Sequence, residues 1–258
     1  MNWVWRGVVL VAGVSGWQLL ASAAGSSFFP PPSAIVATMY RLWLSGPAAH
    51  LFLTPDATGN ILPSLGRVLT GLAIATVIAV PLGIALGRSP VLTGYLNPLL
   101  QFARALPVVT MAPVFIVLFK IGTDMEIATI AFGTIWPILL NTIDGAATVD
   151  PQHLETARAF RLSVWQRLVW VIIPAAMPKA FAGFRLSLSL SLILMVFAEL
   201  VGSSNGIGYE MSNASNSFDV TFLWSTIVLL GILGYLLNAI LSGAERFILS
   251  WHSDKGRD

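Results

Sequence analysis

The sequence predicts an all-α polytopic membrane protein with six transmembrane helices, and three observations carry that expectation. Of 258 residues, 56% are hydrophobic and 10% charged, whereas soluble domains carry roughly 25% charged residues. Several uncharged runs approach the length of about 20 residues that a helix needs to cross hydrocarbon. One stretch, 145–178, breaks the pattern with a polar, arginine-bearing segment that cannot lie in lipid. A net charge of +2 with scattered basic residues gives no footprint for nucleic acid. The absence of cysteine excludes disulfides and thiolate metal sites, and His50, His153 and His252 are too dispersed to suggest a metal site.

The first apolar run, 7–23, follows Arg6 and is a span or a signal sequence, since Ala21-Ser22-Ala23 resembles a small-residue cleavage site. Residues 24–65 read as an extracytoplasmic loop with one short surface helix. Pro30-Pro31-Pro32 cannot continue a helix, Ser33 is the expected N-cap of a helix over 34–44, and Pro47, Pro55 and Pro63 keep 46–65 irregular. Between Arg67 and Arg88 lie 20 uncharged residues, the second span.

The third span is short. Arg104 and Lys120 bracket 15 residues that include Pro107 and Pro113, so a bent helix is expected. Such breaks are tolerated at membrane depth where backbone faces protein or a water-filled cavity; this element either lines a passage or is a kinked packing helix. Residues 120–124 form a tight loop, and 127–143 the fourth span. Pro174 and Pro178 are expected to end the polar segment, with 179–200 as the fifth span and Arg185 snorkelling to the headgroups. The Gly-, Ser- and Asn-rich stretch 201–219 reads as a loop. The sixth span lies in the 25 uncharged residues between Asp219 and Glu245. The whole chain, 1–258, is thus one transmembrane domain. Six crossings put both termini and 145–178 on one side with 11 of the 14 lysines and arginines, which the positive-inside bias makes cytoplasmic.

Within the polar segment, 151–160 and 163–170 read as short helices joined at Arg161-Leu162. Leu154, Ala157 and Phe160 form one apolar edge and Trp165 and Leu168 a second, leaving His153 and Arg158 exposed. The segment is either an amphipathic hairpin lying on the inner leaflet, held by Trp165, Trp170 and its arginines, or a surface for a partner.

Glu155-Thr156-Ala157, with Pro174 nineteen positions after Glu155, resembles the EAA signature of the permease subunits of ATP-binding-cassette importers. Pro31-Pro32-Ser33, Leu106-Pro107 with Ala112-Pro113, the run from Trp136-Pro137 to Asn141-Thr142, Val149-Asp150-Pro151 and Phe197-Ala198-Glu199-Leu200 resemble the branch that serves nitrate, sulfonate, taurine and similar small anions. The resemblance covers nearly the whole chain. It implies a type I importer permease fold, a bacterial inner-membrane location, and a cytoplasmic coupling loop at 145–178. In that loop Glu155, Thr156, Ala157, Arg158, Arg161, Trp165 and Arg167 would meet the ATPase. It also implies the partners: two ATP-binding-cassette subunits, a second copy of this chain, an extracytoplasmic binding protein and membrane lipid, with no nucleic acid.

Two positions depart from the family pattern. Thr156 replaces an alanine, and Arg161 stands where the family has glycine, so that either a left-handed turn there costs roughly 1 kcal/mol or the turn adopts another geometry. No Gly-Lys pair occurs, so the chain has no P-loop and is expected to bind no cofactor, with ATP and Mg held by the separate ATPase. For the passage the resemblance points to spans three to five, with Pro113, Asn141, Ser187, Ser191 and Met195 as candidates. Ser187 and Ser191 share a helix face with Met195, although serines also serve close packing between membrane helices. Glu199 reads as a solvated helix terminus. A stand-alone secondary transporter and a polytopic membrane enzyme are the alternatives.

Overall fold

The computed structural model describes residues 3–48 and 52–250; His50, His252, Lys255 and Arg257 lie outside them. Among the described residues every regular element is helical. In chain order these are α1 (Trp3–Ala24), α2 (Pro32–Met39), α3 (Pro55–Gly87), α4 (Pro90–Ala105), α5 (Ala112–Phe119), α6 (Thr123–Ala147), α7 (Pro151–Ala159), α8 (Val164–Arg167), α9 (Ile173–Gly202), α10 (Ile207–Asn216) and α11 (Val220–Ile248). Among the described residues five helices are long and apolar enough to cross a membrane, and six if α4 and the 108–119 segment, bent by 84°, count as one broken span. The bend falls at Leu106-Pro107, as the proline spacing predicts.

Several boundaries differ from expectation, and prolines account for most of them. Helix α3 begins at Pro55 and runs through Pro63, so 46–65 is not irregular throughout. Pro55 occupies the first turn, where a missing N–H costs nothing. Pro63 leaves the carbonyl of Gly59 without its helical donor, and Gly59 is exposed, with nothing crowding it. Helix α9 likewise begins at Ile173 and includes Pro174 and Pro178, instead of starting at 179. A π-helical turn, Leu168–Ile172, precedes it, and the Ile173 N–H bonds the Leu168 carbonyl five residues back. The wider turn accommodates the Pro174 ring that a tight helix would reject. Helix α2 starts after Pro31, not Ser33; the Ser33 N–H instead bonds Gln18 Oε1 at 3.0 Å.

The chain divides into two compact units. In the first, Met1–Leu65 with Ser203–Leu233, Trp17, Phe29 and Trp224 form an aromatic cluster with ring centroids 5.4 to 6.0 Å apart. The stretch 201–219, expected to be a loop, contains α10. Gly206, at φ 118°, turns the chain into it. The first N–H groups of α10, which have no helical partner, are met from α3: Gly206 N–H by Asn60 Oδ1 and Ile207 N–H by Ser64 Oγ, both at 2.9 Å. Asn60 Nδ2 also donates to Glu210 at 3.3 Å. Burial first, and then the nearby Asp56 carboxylate, push Glu210 above the usual carboxylate range, while the Asn60 bond acts the other way.

In the second unit, Gly66–Gly202 with Gly234–Asp258, α6 and α9 pack along their length. Close approach requires glycine: a Cβ on Gly183 would lie 2.5 Å from the Pro137 carbonyl oxygen, and one on Gly133 2.2 Å from Leu194. A core of Ala75, Ala79, Leu86, Ile138 and Leu139 joins α3 to α6, with Leu96 and Leu100 of α4 packed against it. The buried hydroxyls of Thr129, Thr134 and Thr142 each bond the carbonyl four residues back, at 2.7 to 2.8 Å, so α6 buries them satisfied. Arg185 does not snorkel alone: it pairs with Glu245 of α11.

Candidate functional site

The 148–172 segment is built from local capping signals. Asp150 accepts a hydrogen bond from Gln152 N–H at 2.8 Å, and Pro151 sits at the first helical position, so α7 starts there. Its end is a Schellman turn: Arg161 N–H bonds the Arg158 carbonyl at 2.9 Å and Leu162 N–H the Ala157 carbonyl at 3.0 Å. Arg161 lies at φ 53°. The arginine occupies the left-handed position where the family pattern has glycine, so the turn is kept and not replaced. Ser163 and Gln166 then form a reciprocal capping box at 3.2 and 2.9 Å, which starts α8.

The segment is anchored on one side and bare on the other. Leu154, Leu168 and Val171 pack on a core of Ala146, Val149, Ile172 and Ala176. Glu155, Thr156, Arg158, Arg161 and Trp165 are exposed, Arg167 is half-buried and Ala157 is buried. Each expected apolar edge therefore loses one member. Phe160, the C-cap residue of α7, lies beyond the last turn and is 77% exposed, and Trp165 is 71% exposed. A groove of about 500 Å³ runs between His153, Thr156, Ala157, Phe160, Leu162, Trp170 and Val171. The result is a rigidly based surface of aromatic side chains, three arginines and one glutamate.

The passage candidates are spread over three helices, α5, α6 and α9. Ser187, Ser191 and Met195 lie on the buried face of α9. Ser187 Oγ donates to the Thr134 carbonyl across the α6 contact at 2.7 Å, and Ser191 Oγ to Leu188 of its own helix at 2.7 Å. Asn141 Nδ2 donates to the Pro137 carbonyl at 2.8 Å. Pro113 stands apart and exposed on α5.

A buried ion cluster is the feature that sequence reasoning missed. Arg67, Glu126 and Glu199 are 5%, 0% and 1% exposed. Arg67 pairs through Nε with Glu126, through Nη1 with Glu199 Oε1 at 2.7 Å, and through Nη2 with Thr123 Oγ1 at 3.4 Å. Glu199 is thus no solvated terminus. Desolvating three charges is costly, and the arrangement stands because the fork of the guanidinium meets both carboxylates. The available signal was that each charge borders an uncharged run on a different helix.

Comparison with known proteins agrees with this fold. The family described as "Binding-protein-dependent transport system inner membrane component" matches residues 79–250. The chain is 31% identical over 251 residues to the putative aliphatic sulfonates transport permease protein SsuC of Bacillus subtilis, covering 96% of this chain and 88% of that protein. It is 31% identical over 234 residues to the nitrate import permease protein NrtB of Synechocystis, covering 90% and 84%. With the taurine transport system permease protein TauC of Escherichia coli it shares 27% over 266 residues, covering 98% and 94%. Among solved structures, a chain of the MetNI methionine ABC transporter in an inward-facing conformation superposes with a TM-score of 0.65 at 20% identity. That match covers 73% of this chain and 94% of that one, and it is a likeness of fold. The chain belongs to the family of binding-protein-dependent transport system inner membrane components: it is a transport subunit with the type I importer permease fold that the EAA-like signature implied.

Proposed function

We propose that this chain is the translocation subunit of an ATP-driven importer for a small organic or inorganic anion, a sulfonate, taurine, nitrate or similar. The observation that carries the anion class is the set of relatives named for sulfonates, taurine and nitrate over most of the chain. In this reading two copies of the chain form the passage in the bacterial inner membrane with both termini in the cytoplasm. Two separate ATP-binding subunits, carrying ATP and Mg, dock on residues 151–175, and an extracytoplasmic protein delivers the solute.

Glu155, Thr156, Ala157, Arg158, Arg161, Trp165 and Arg167 form the docking surface, supported by the exposed charged and aromatic face of α7 and α8 on its apolar base. Closure of the ATPases on ATP draws the two docking segments together and biases the spans toward an outward-open state, because the nucleotide binds one state better than the other. The passage runs beside spans three to five. Ser187, Ser191 and Met195 reach it only when α6 and α9 separate.

Uptake into vesicles containing the full assembly tests the proposal. ATP-dependent accumulation of nitrate or an alkanesulfonate that disappears when the ATPase is omitted supports it. Uptake by this chain alone, driven by an ion gradient, would overturn it in favour of a secondary transporter.

A further inference from the structure

Helix α4 has three faces, and its third has no role in the packing. At 100° per residue, Leu96, Leu100 and Ala103 fall in one sector, where Leu96 and Leu100 meet the core around Ile138 and Leu139. Val91, Tyr95, Leu99 and Phe102 fall in a second sector; they are apolar and 61% to 81% exposed, which suits lipid chains. Asn97, Gln101 and Arg104 fall within about 60° of one another in a third sector, and all three are exposed. Gly94, Pro98 and Ala105 separate this polar row from the lipid-like one.

Lipid chains cannot solvate a guanidinium and two amides, so the row faces water or a polar solute. An interfacial helix that meets headgroups is rich in lysine and arginine along its polar face. Here a single cation ends a row of two amides. Arg104 makes no ion pair among the described residues, and Gln101 Nε2 bonds Asn97 Oδ1 at 3.3 Å, which ties the amides into one strip. A cation beside amide N–H donors is a donor set that an oxyanion takes. The row ends where α4 and the 108–119 segment diverge by 84°, and backbone broken in this way stands at membrane depth only beside protein or a water-filled cavity.

We propose that Asn97, Gln101 and Arg104 form an oxyanion-binding strip in the passage, with Arg104 selecting for negative charge. The proposal rests on the anion-importer reading above. A solute in transit and the phosphate of a lipid headgroup offer the same chemistry, and the test separates them.

The assembled transporter, with its ATPase and binding protein, is placed in vesicles and offered labelled nitrate and ethanesulfonate. Arg104→Gln is expected to lower uptake of the transported anion about tenfold with the complex recovered in wild-type yield, and Arg104→Lys to restore most of it. Gln101→Glu, which sets a carboxylate one turn from Arg104 at an exposed position, is expected to lower uptake similarly. Anion uptake unchanged in Arg104→Gln and Gln101→Glu overturns the strip alone. Equal loss in Arg104→Lys and Arg104→Gln also overturns it, because shape and not charge would then matter. So does a loss that the wild type reproduces when anionic lipid is replaced by phosphatidylcholine, which marks a headgroup contact. A wild-type assembly that moves neither anion sinks the importer reading together with the strip.

Discussion

Arg67 of α3 and Glu199 of α9, 132 positions apart in the chain, meet at 2.7 Å in the interior of the second unit, where the same guanidinium also holds Glu126 of α6. One side chain therefore ties three helices together. Breaking a buried pair strands the remaining charge, which costs about 3 to 5 kcal/mol. Arg67→Met should lower stability by that order, read as the shift in thermal unfolding of the detergent-solubilised protein. Lys179→Met, which removes the exposed pair with Asp144, should cost about 0 to 1 kcal/mol. Equal shifts in the two variants would refute the distinction.

Arg161 holds a left-handed conformation that suits glycine better. Arg161→Gly should keep the Schellman turn and stabilise the protein by roughly 1 kcal/mol, seen as slower proteolytic cleavage near 161. Arg161→Val, β-branched at the same φ, should speed cleavage. If both variants behave as the wild type, the turn is not under strain.

Glu155→Arg reverses the one acidic charge on the proposed docking surface. Insertion and yield should be unaffected, because Glu155 is exposed, whereas ATP hydrolysis should no longer drive uptake. Wild-type transport by this variant would count against docking at α7.

A Cβ added to Gly183 would lie 2.5 Å from the Pro137 carbonyl oxygen and 2.8 Å from the Asn141 Cβ, closer than a real Cβ comes. Gly183→Leu should force α6 and α9 apart and cost about 1 to 3 kcal/mol or more. Gly231→Leu, where nothing lies within 4 Å, provides the comparison and should change unfolding little.

Glu210 titrates above the usual carboxylate range through burial and the Asp56 charge. A raised folded-state value means that the folded protein binds the proton more tightly than the unfolded chain. Its contribution is therefore present in full below the unfolded value and is lost as pH rises through the folded one. Glu210→Gln, which mimics the protonated side chain and can still accept from Asn60, should remove this part of the pH dependence of thermal unfolding, which lies above the ordinary glutamate value of 4.5. An unchanged profile would show that Glu210 does not contribute.

The elements legible from sequence were those with local signatures. The break at Leu106-Pro107, the start of α7 after Asp150, and the two short helices meeting at Arg161-Leu162 follow from prolines, caps and turn residues a few positions apart. The boundaries that shifted did so where tertiary context absorbed a proline: Pro63 opposite the exposed Gly59, and Pro174 in the π-helical turn 168–172. Helix α10 was hidden because Gly, Ser and Asn give it a loop's composition. Its start depends on Asn60 and Ser64, more than 140 positions away.

Composition and run length alone pointed to a membrane chain, to roughly where its helices lie, and to a polar interruption at 145–178, because hydropathy and capping act within a few residues. Only the folded arrangement assigned Arg67 to Glu126 and Glu199, closed Ser187 and Ser191 into the α6–α9 contact, and left Phe160, Trp165 and the Asn97–Arg104 row bare. Partners for charges and faces come from residues distant in the chain, and no local pattern encodes which distant surface a side chain will meet.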